Sequence, residues 1–129
     1  MKIAICSSDA YAEEALDFAK KLEDLGVIVL VPHFYSHLVG DLEEIDETNQ
    51  RYVVMGFTYD HLIELSYADV VFIYNPEGEC ESDVAIDIGY ATALKKPIYA
   101  LKENPTQLSC GVLFRDICVT PEELFKAIK

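Results

Sequence analysis

Apolar positions along this chain fall into short continuous runs separated by stretches with helical spacing. Met1–Cys6 (MKIAIC) is one such run, and it closes on Ser-Ser-Asp. The following AYAEEALDFAKKLEDLG places Ala15, Phe18, Ala19, Leu22 and Leu25 at helical intervals, which predicts strand, turn and helix. Gly26 fits the C′ position that stops that helix. Val27–Val31 (VIVLV) is β-branched, continuous and closed by Pro32, so it predicts a strand buried on both faces.

The stretch from His33 to Gly56 carries no clear period, and its acidic DLEEIDE reads as a solvated helix or a loop. From Thr58 onward, YDHLIELSYAD predicts a helix presenting Leu62, Leu65 and Ala68. Val70–Tyr74 (VVFIY), Ile98–Leu101 (IYAL) and Ile117–Val119 read as strands, and Thr120-Pro121-Glu122-Glu123 as the capped start of a last helix. Strands without alternation, interleaved with helices, mean a parallel sheet covered on both sides. Right-handed crossovers then favour an α/β, three-layer, doubly wound sheet of five parallel strands in the order 2-1-3-4-5, a flavodoxin-like or Rossmann-like architecture in one domain spanning 1–129. Ligands of such sheets bind beyond the carboxyl ends of the strands, at the switch point between the first and third. That directs attention to Cys6-Ser7-Ser8-Asp9 and to Asn75–Glu81.

One helix changes the picture. SDVAIDIGYATALKKPI, from Ser82 to Ile98, is apolar on nearly every face but carries Asp87 at its centre. Val84, Ile88 and Ala91 occupy one side and Ala85, Gly89 and Ala93 another, so this carboxylate has either little water, as a pocket acid, or a wet edge shared with Asp83 one turn earlier. Ser82 reads as the helix cap. Gly89 would permit close approach.

The 23 acidic against 10 basic residues give a net charge of −13. That field repels phosphate backbones and anionic membranes, so neither nucleic acid nor a membrane surface is an expected partner. MKIAICSS is too short an apolar run for a signal peptide and no run is long enough to span a bilayer, which gives the expectation of a soluble, cytoplasmic protein. Cys6, Cys80, Cys110 and Cys118 show no CxxC spacing and no ligand spacing with the three histidines, so they read as free thiols and no metal is expected. The first loop, CSSDAY, lacks the glycines of a dinucleotide fingerprint; there is no Walker loop, GxSxG or HExxH; and Tyr74-Asn75 stands where a phosphoacceptor receiver would place an Asp.

Two blocks carry a resemblance. Ala68-Asp69-Val70-Val71-Phe72-Ile73-Tyr74-Asn75-Pro76-Glu77-Gly78, followed by Ala85-Ile86-Asp87-Ile88-Gly89-Tyr90-Ala91-Thr92-Ala93-Leu94-Lys95-Lys96-Pro97-Ile98, resembles the nucleoside 2-deoxyribosyltransferase-like superfamily, which includes 2′-deoxynucleoside 5′-monophosphate N-glycosidases. The first-strand region fits the same family, so the likeness covers most of the chain outside its central segment. It implies cleavage or transfer at the N-glycosidic bond of a 2′-deoxynucleoside or its 5′-monophosphate, with no cofactor. Asp87 takes the position of the family's nucleophilic Glu, one methylene shorter. Glu81, six residues earlier, corresponds to an acid that assists the leaving base, and His61 to a His or Asp on the base side. Ser7 and Ser8 match the loop lining the sugar or phosphate. Gly78-Glu79-Cys80-Glu81 stands where relatives read G-Y-x-G. The resemblance also implies a homodimer or larger homo-oligomer.

Each candidate has a plainer reading. Glu79 and Glu81 read equally as loop acids, His61 as a surface histidine, and Tyr11, Tyr52, Tyr67 and Tyr90 as core or interface residues. Tyr11 opens a helix beside the first loop. Asn75 is expected to fix its own loop through its amide. The Asp at position 87 supports a second function class, a non-catalytic nucleotide-binding or sensing protein that has lost the family's Glu.

Overall fold

A computed structural model of the chain describes residues 1–34 and 43–129. Its elements are β1 (Lys2–Cys6), a 3-10 turn (Asp9–Tyr11), α1 (Ala12–Asp24), β2 (Ile28–Leu30), α2 (Glu47–Tyr67), β3 (Val70–Ile73), α3 (Ser82–Ala93), β4 (Ile98–Ala100), α4 (Leu108–Gly111), β5 (Asp116–Ile117) and α5 (Pro121–Ala127). The five strands form one sheet in the order β2-β1-β3-β4-β5, and every pairing is parallel. The expected architecture and switch point are therefore present.

Alternation along the strands divides the core in two. Ile3, Ile5, Val70, Phe72, Tyr99 and Leu101 face α1 and α5, where Phe18 stacks on Phe72 with ring centroids 4.7 Å apart. Ala4, Cys6, Val71, Ile73, Ile98 and Ala100 face α2 and α3, and meet Leu65, Val84, Ile88 and Ala91. On this second side the strand residues are mostly small, so α2 and α3 can lie close to the sheet's carboxyl end. Cys6, the last residue of β1, points directly into that helix layer.

Three expectations change. The Val27–Val31 strand shrinks to Ile28–Leu30 and lies at the sheet edge, with Ile28 exposed, because only β1 pairs with it. The helix expected from Thr58 begins at Glu47, where Asp46 caps it by accepting from the Asn49 backbone N–H at 3.0 Å. Its period was illegible because apolar residues lie on both of its faces. Positions 35–42 of the unassigned segment lie outside the described residues. Finally, Ser82 is the first residue of α3 and Glu81 holds the N-cap position, with no side-chain cap bond.

Both α1 and α3 end in the same hydrogen-bond pattern. After α1, the N–H of Gly26 meets Glu23 O and that of Val27 meets Leu22 O. After α3, Lys95 N–H meets Thr92 O and Lys96 N–H meets Ala91 O. These are Schellman closures, whose C′ residue sits in the left-handed region. Gly26 has φ +93°, but Lys95 holds φ +58° with a side chain. A non-glycine residue there costs about 1 kcal/mol. Lys95→Gly is thus expected to stabilise the protein by roughly that amount and Gly26→Ala to destabilise it, as read from urea denaturation midpoints.

Candidate functional site

The carboxyl ends of β1 and β3 carry two loops, and each is held by its own chemistry. Asn75 is buried beyond β3 and works as a clip. Its Nδ2 donates to Gly78 O and Lys102 O, both at 2.8 Å, while its Oδ1 accepts from the backbone N–H groups of Leu101 and Lys102 at 3.1 Å. The amide thus fixes the loop, as the sequence suggested, and its polar atoms are fully engaged. Gly78 closes the turn at φ +88°, and a Cβ there would stand 2.9 Å from Glu103 O, so only glycine fits. The β1 loop is different. Ser7 Oγ donates to Ser8 O at 3.1 Å, whereas buried Ser8 Oγ has no partner among the described residues.

Asp87 lies in the second turn of α3 and is only 7% exposed. Its Oδ2 is 2.9 Å from His61 Nε2, and His61 is itself buried on the inner face of α2. The wet-edge and surface-histidine readings are both excluded. Cys6 Sγ lies 3.7 Å from the same Nε2. The sequence spacing had separated the cysteines from the histidines, yet the sheet end brings Cys6, His61 and Asp87 together, with their polar atoms all within 4.8 Å. Burial, with the charge of Asp87 next, pushes the Cys6 thiol well above its ordinary range, so it is a protonated neighbour rather than a thiolate. Among the described residues neither the buried Nδ1 of His61 nor the buried Oε2 of Glu64, one turn further along α2, has a partner. Burial raises the Glu64 carboxyl pKa, against the lowering influence of His61 and His33.

Two cavities open at this end of the sheet. The smaller, about 80 Å³, is lined by Asp87, His61, Ser7, Asp9, Asp83, Thr58 and His33, with an apolar side formed by Pro32, Phe34, Phe57 and Ile86. His33 and Phe57 are in ring contact, with centroids 4.6 Å apart. The larger cleft, about 270 Å³, is lined by Ser8, Tyr11, Tyr74, Asn75, Cys80, Val84 and the carboxylates of Glu77, Glu79 and Glu81. Burial and the nearby Glu77 raise the Tyr11 phenol pKa, and Cys80 is pushed up to about 11, mainly by burial.

The expected site residues therefore divide. Asp87, His61 and Ser7 share the smaller cavity, while Glu81, Ser8, Tyr11 and Asn75 line the larger one, and Glu81 is exposed. Gly78 shapes the loop rather than a cavity wall. Gly89 stands on the exposed face of α3, and a Cβ there would meet nothing within 4 Å, so close approach does not require glycine. Sequence reasoning reached Asp9 only as part of the first loop and missed Asp83, Phe34 and Phe57 as cavity residues. Asp83 was detectable, because it lies four residues before Asp87 and so on the same helical face. Phe34 and Phe57 were not, since the helical start of α2 was hidden. Among the described residues no Lys or Arg lines either cavity.

No family model matches this sequence, and comparison with curated proteins also returns no match. Among solved structures, the fold is similar to a 2-deoxyribosyltransferase from Bacillus psychrosaccharolyticus, with a TM-score of 0.67 and 18% identity over 96% of this chain and 90% of that one. It is also similar to a CMP N-glycosidase from Clostridium botulinum, with a TM-score of 0.56 and 15% identity over 99% of this chain and 98% of that one. At these identities the likeness is one of fold, and it extends over nearly the whole chain.

The His61–Asp87 contact can be tested by itself. Removing one partner of a buried pair strands the other and costs about 3–5 kcal/mol. His61→Ala is expected to lose stability on that scale in urea unfolding. His61→Ala/Asp87→Ala should be less destabilised than the sum of the single variants, and strict additivity would deny the coupling.

Proposed function

We propose that the protein cleaves or transfers at the N-glycosidic bond of a 2′-deoxynucleoside, with Asp87 as nucleophile. An Asp87 carboxylate oxygen attacks C1′, and the electrons of the C1′–N bond leave with the base, which takes up a proton. The resulting glycosyl ester is then attacked at C1′ by water or by a second base, which regenerates the carboxylate. The observation that carries this reading is a buried carboxylate, oriented by an imidazole at 2.9 Å, in the wall of a cavity at the switch point. The fold shared with a deoxyribosyltransferase and a CMP N-glycosidase supports it.

The cavity's chemistry supports a nucleoside over a nucleotide. Its volume holds roughly half a dozen water-sized groups, about one pentose ring, with the aromatic pair of His33 and Phe57 at its side for a base. Sugar hydroxyls can donate to Asp9 and Asp83, which a phosphate cannot do. The start of α3, where an anion would otherwise gain from backbone N–H groups, already carries Glu81 and Asp83. In this reading His61 orients Asp87, Asp83 takes the place expected for Glu81 beside the nucleophile, and no cofactor takes part.

The test is chromatographic detection of free base from matched deoxynucleosides and 5′-monophosphates. Base release from the nucleosides is expected, with the monophosphates slower by roughly tenfold or more, since like charges in contact cost at least 1.4 kcal/mol. Asp87→Ala should abolish release. Preference for the monophosphate would overturn the substrate assignment. Release that persists in Asp87→Ala would overturn the mechanism, and nucleoside-induced thermal stabilisation without any release would leave a binding protein.

A second copy of the chain is the partner we infer. Tyr52, Met55, Tyr59, Ile63 and Tyr67 form an exposed apolar stripe on α2 opposite its buried face, and exposed Ile86 of α3 belongs both to this helix layer and to the smaller cavity. A long helix that is apolar on both faces needs cover on both. Light scattering coupled to gel filtration should find a dimer or larger assembly, and Tyr59→Glu/Ile63→Glu should yield monomer. A wild-type monomer at all concentrations would contradict this.

A further inference from the structure

The triad of Cys6, His61 and Asp87 also carries the ligand chemistry of a metal site. Three different ligand types converge from β1, α2 and α3, with His61 Nε2 placed 2.9 Å from Asp87 Oδ2 and 3.7 Å from Cys6 Sγ. Ligands around a tetrahedral zinc stand about 3.3–3.7 Å apart, given bond lengths near 2.0–2.3 Å to nitrogen, oxygen and sulfur. The two His61 separations bracket that range, and all three ligand atoms lie within 4.8 Å of one another. Thiolate, imidazole and carboxylate together suit a thiophilic divalent cation and do not suit Mg²⁺ or Ca²⁺. Three protein ligands leave a fourth position, and since His61 and Asp87 line the smaller cavity, that position opens into it.

Among the described residues the buried Nδ1 of His61 has no hydrogen-bond partner. A metal ion on Nε2 leaves the ring proton on Nδ1.

We propose that Cys6, His61 and Asp87 bind one thiophilic divalent cation, Zn²⁺ or Co²⁺. Binding displaces the Cys6 thiol proton to solvent and takes Asp87 into coordination. Zinc therefore switches off base release, a consequence that rests on the nucleophile reading, whereas the site itself does not.

Cobalt titration of chelator-stripped protein tests the site without reference to activity. The expected result is one Co²⁺ per chain, with visible d–d bands and a near-ultraviolet sulfur-to-cobalt band that disappears in Cys6→Ser but survives in Cys110→Ala. Absence of stoichiometric binding, or a sulfur band that persists in Cys6→Ser, overturns the site. Circular dichroism of each variant separates ligand loss from unfolding, and Asp87→Asn, which keeps side-chain shape, provides the second ligand variant. Should the spectrum appear while stoichiometric zinc leaves base release intact, the inhibitory consequence fails and the site stands.

Discussion

Everything at the functional end of this fold depends on how a carboxylate is kept inside an apolar helix. Asp87 is buried in α3, and an unpaired carboxylate there would cost several kcal/mol. The imidazole of His61, from a different helix, meets it at 2.9 Å. That single contact requires α2 and α3 to lie side by side over the sheet's carboxyl end. The small residues of the sheet face, Ala4, Cys6 and Ala100, let them do so.

The consequence is chemical as well as structural. Asp87 reaches the wall of a cavity whose other polar groups are Ser7, Asp9, His33, Thr58, His61 and Asp83, and whose remaining side is aromatic and aliphatic. Such a lining suits a neutral molecule with hydroxyls at one end and a flat ring at the other. It opposes an added phosphate, in keeping with the chain's charge of −13. In the proposed reading the side chain at position 87 reaches one methylene less far than a Glu would, and the His61 contact at 2.9 Å holds it in place.

Much of the fold was legible in the sequence because parallel strands buried on both faces read as continuous apolar runs, as in VVFIY and IYAL. The edge strand misled for the same reason, since VIVLV is apolar although only β1 pairs with it. The start of α2 was hidden because a helix apolar on both faces has no single period. The site was legible where it is local: Asp87 stands out in its helix, and Asp83 follows from helical spacing. Its other members were not. Cys6, His61 and Asp87 are distant in sequence, and only the crossover geometry brings them within 4.8 Å of one another. Glu81 matched a pattern yet belongs to the neighbouring cleft, because the loop fixed by Asn75 and Gly78 carries it to the N-cap of α3.

The central claim is that Asp87 forms a covalent bond to the sugar. Rapid mixing with a 2′-deoxynucleoside, acid quench and peptide mass spectrometry reads that bond directly. The account predicts a deoxyribosyl ester on Asp87 in the α3 peptide, absent from Asp87→Ala. An adduct on another carboxylate, or base release with no adduct on Asp87 at any time before turnover, would contradict it.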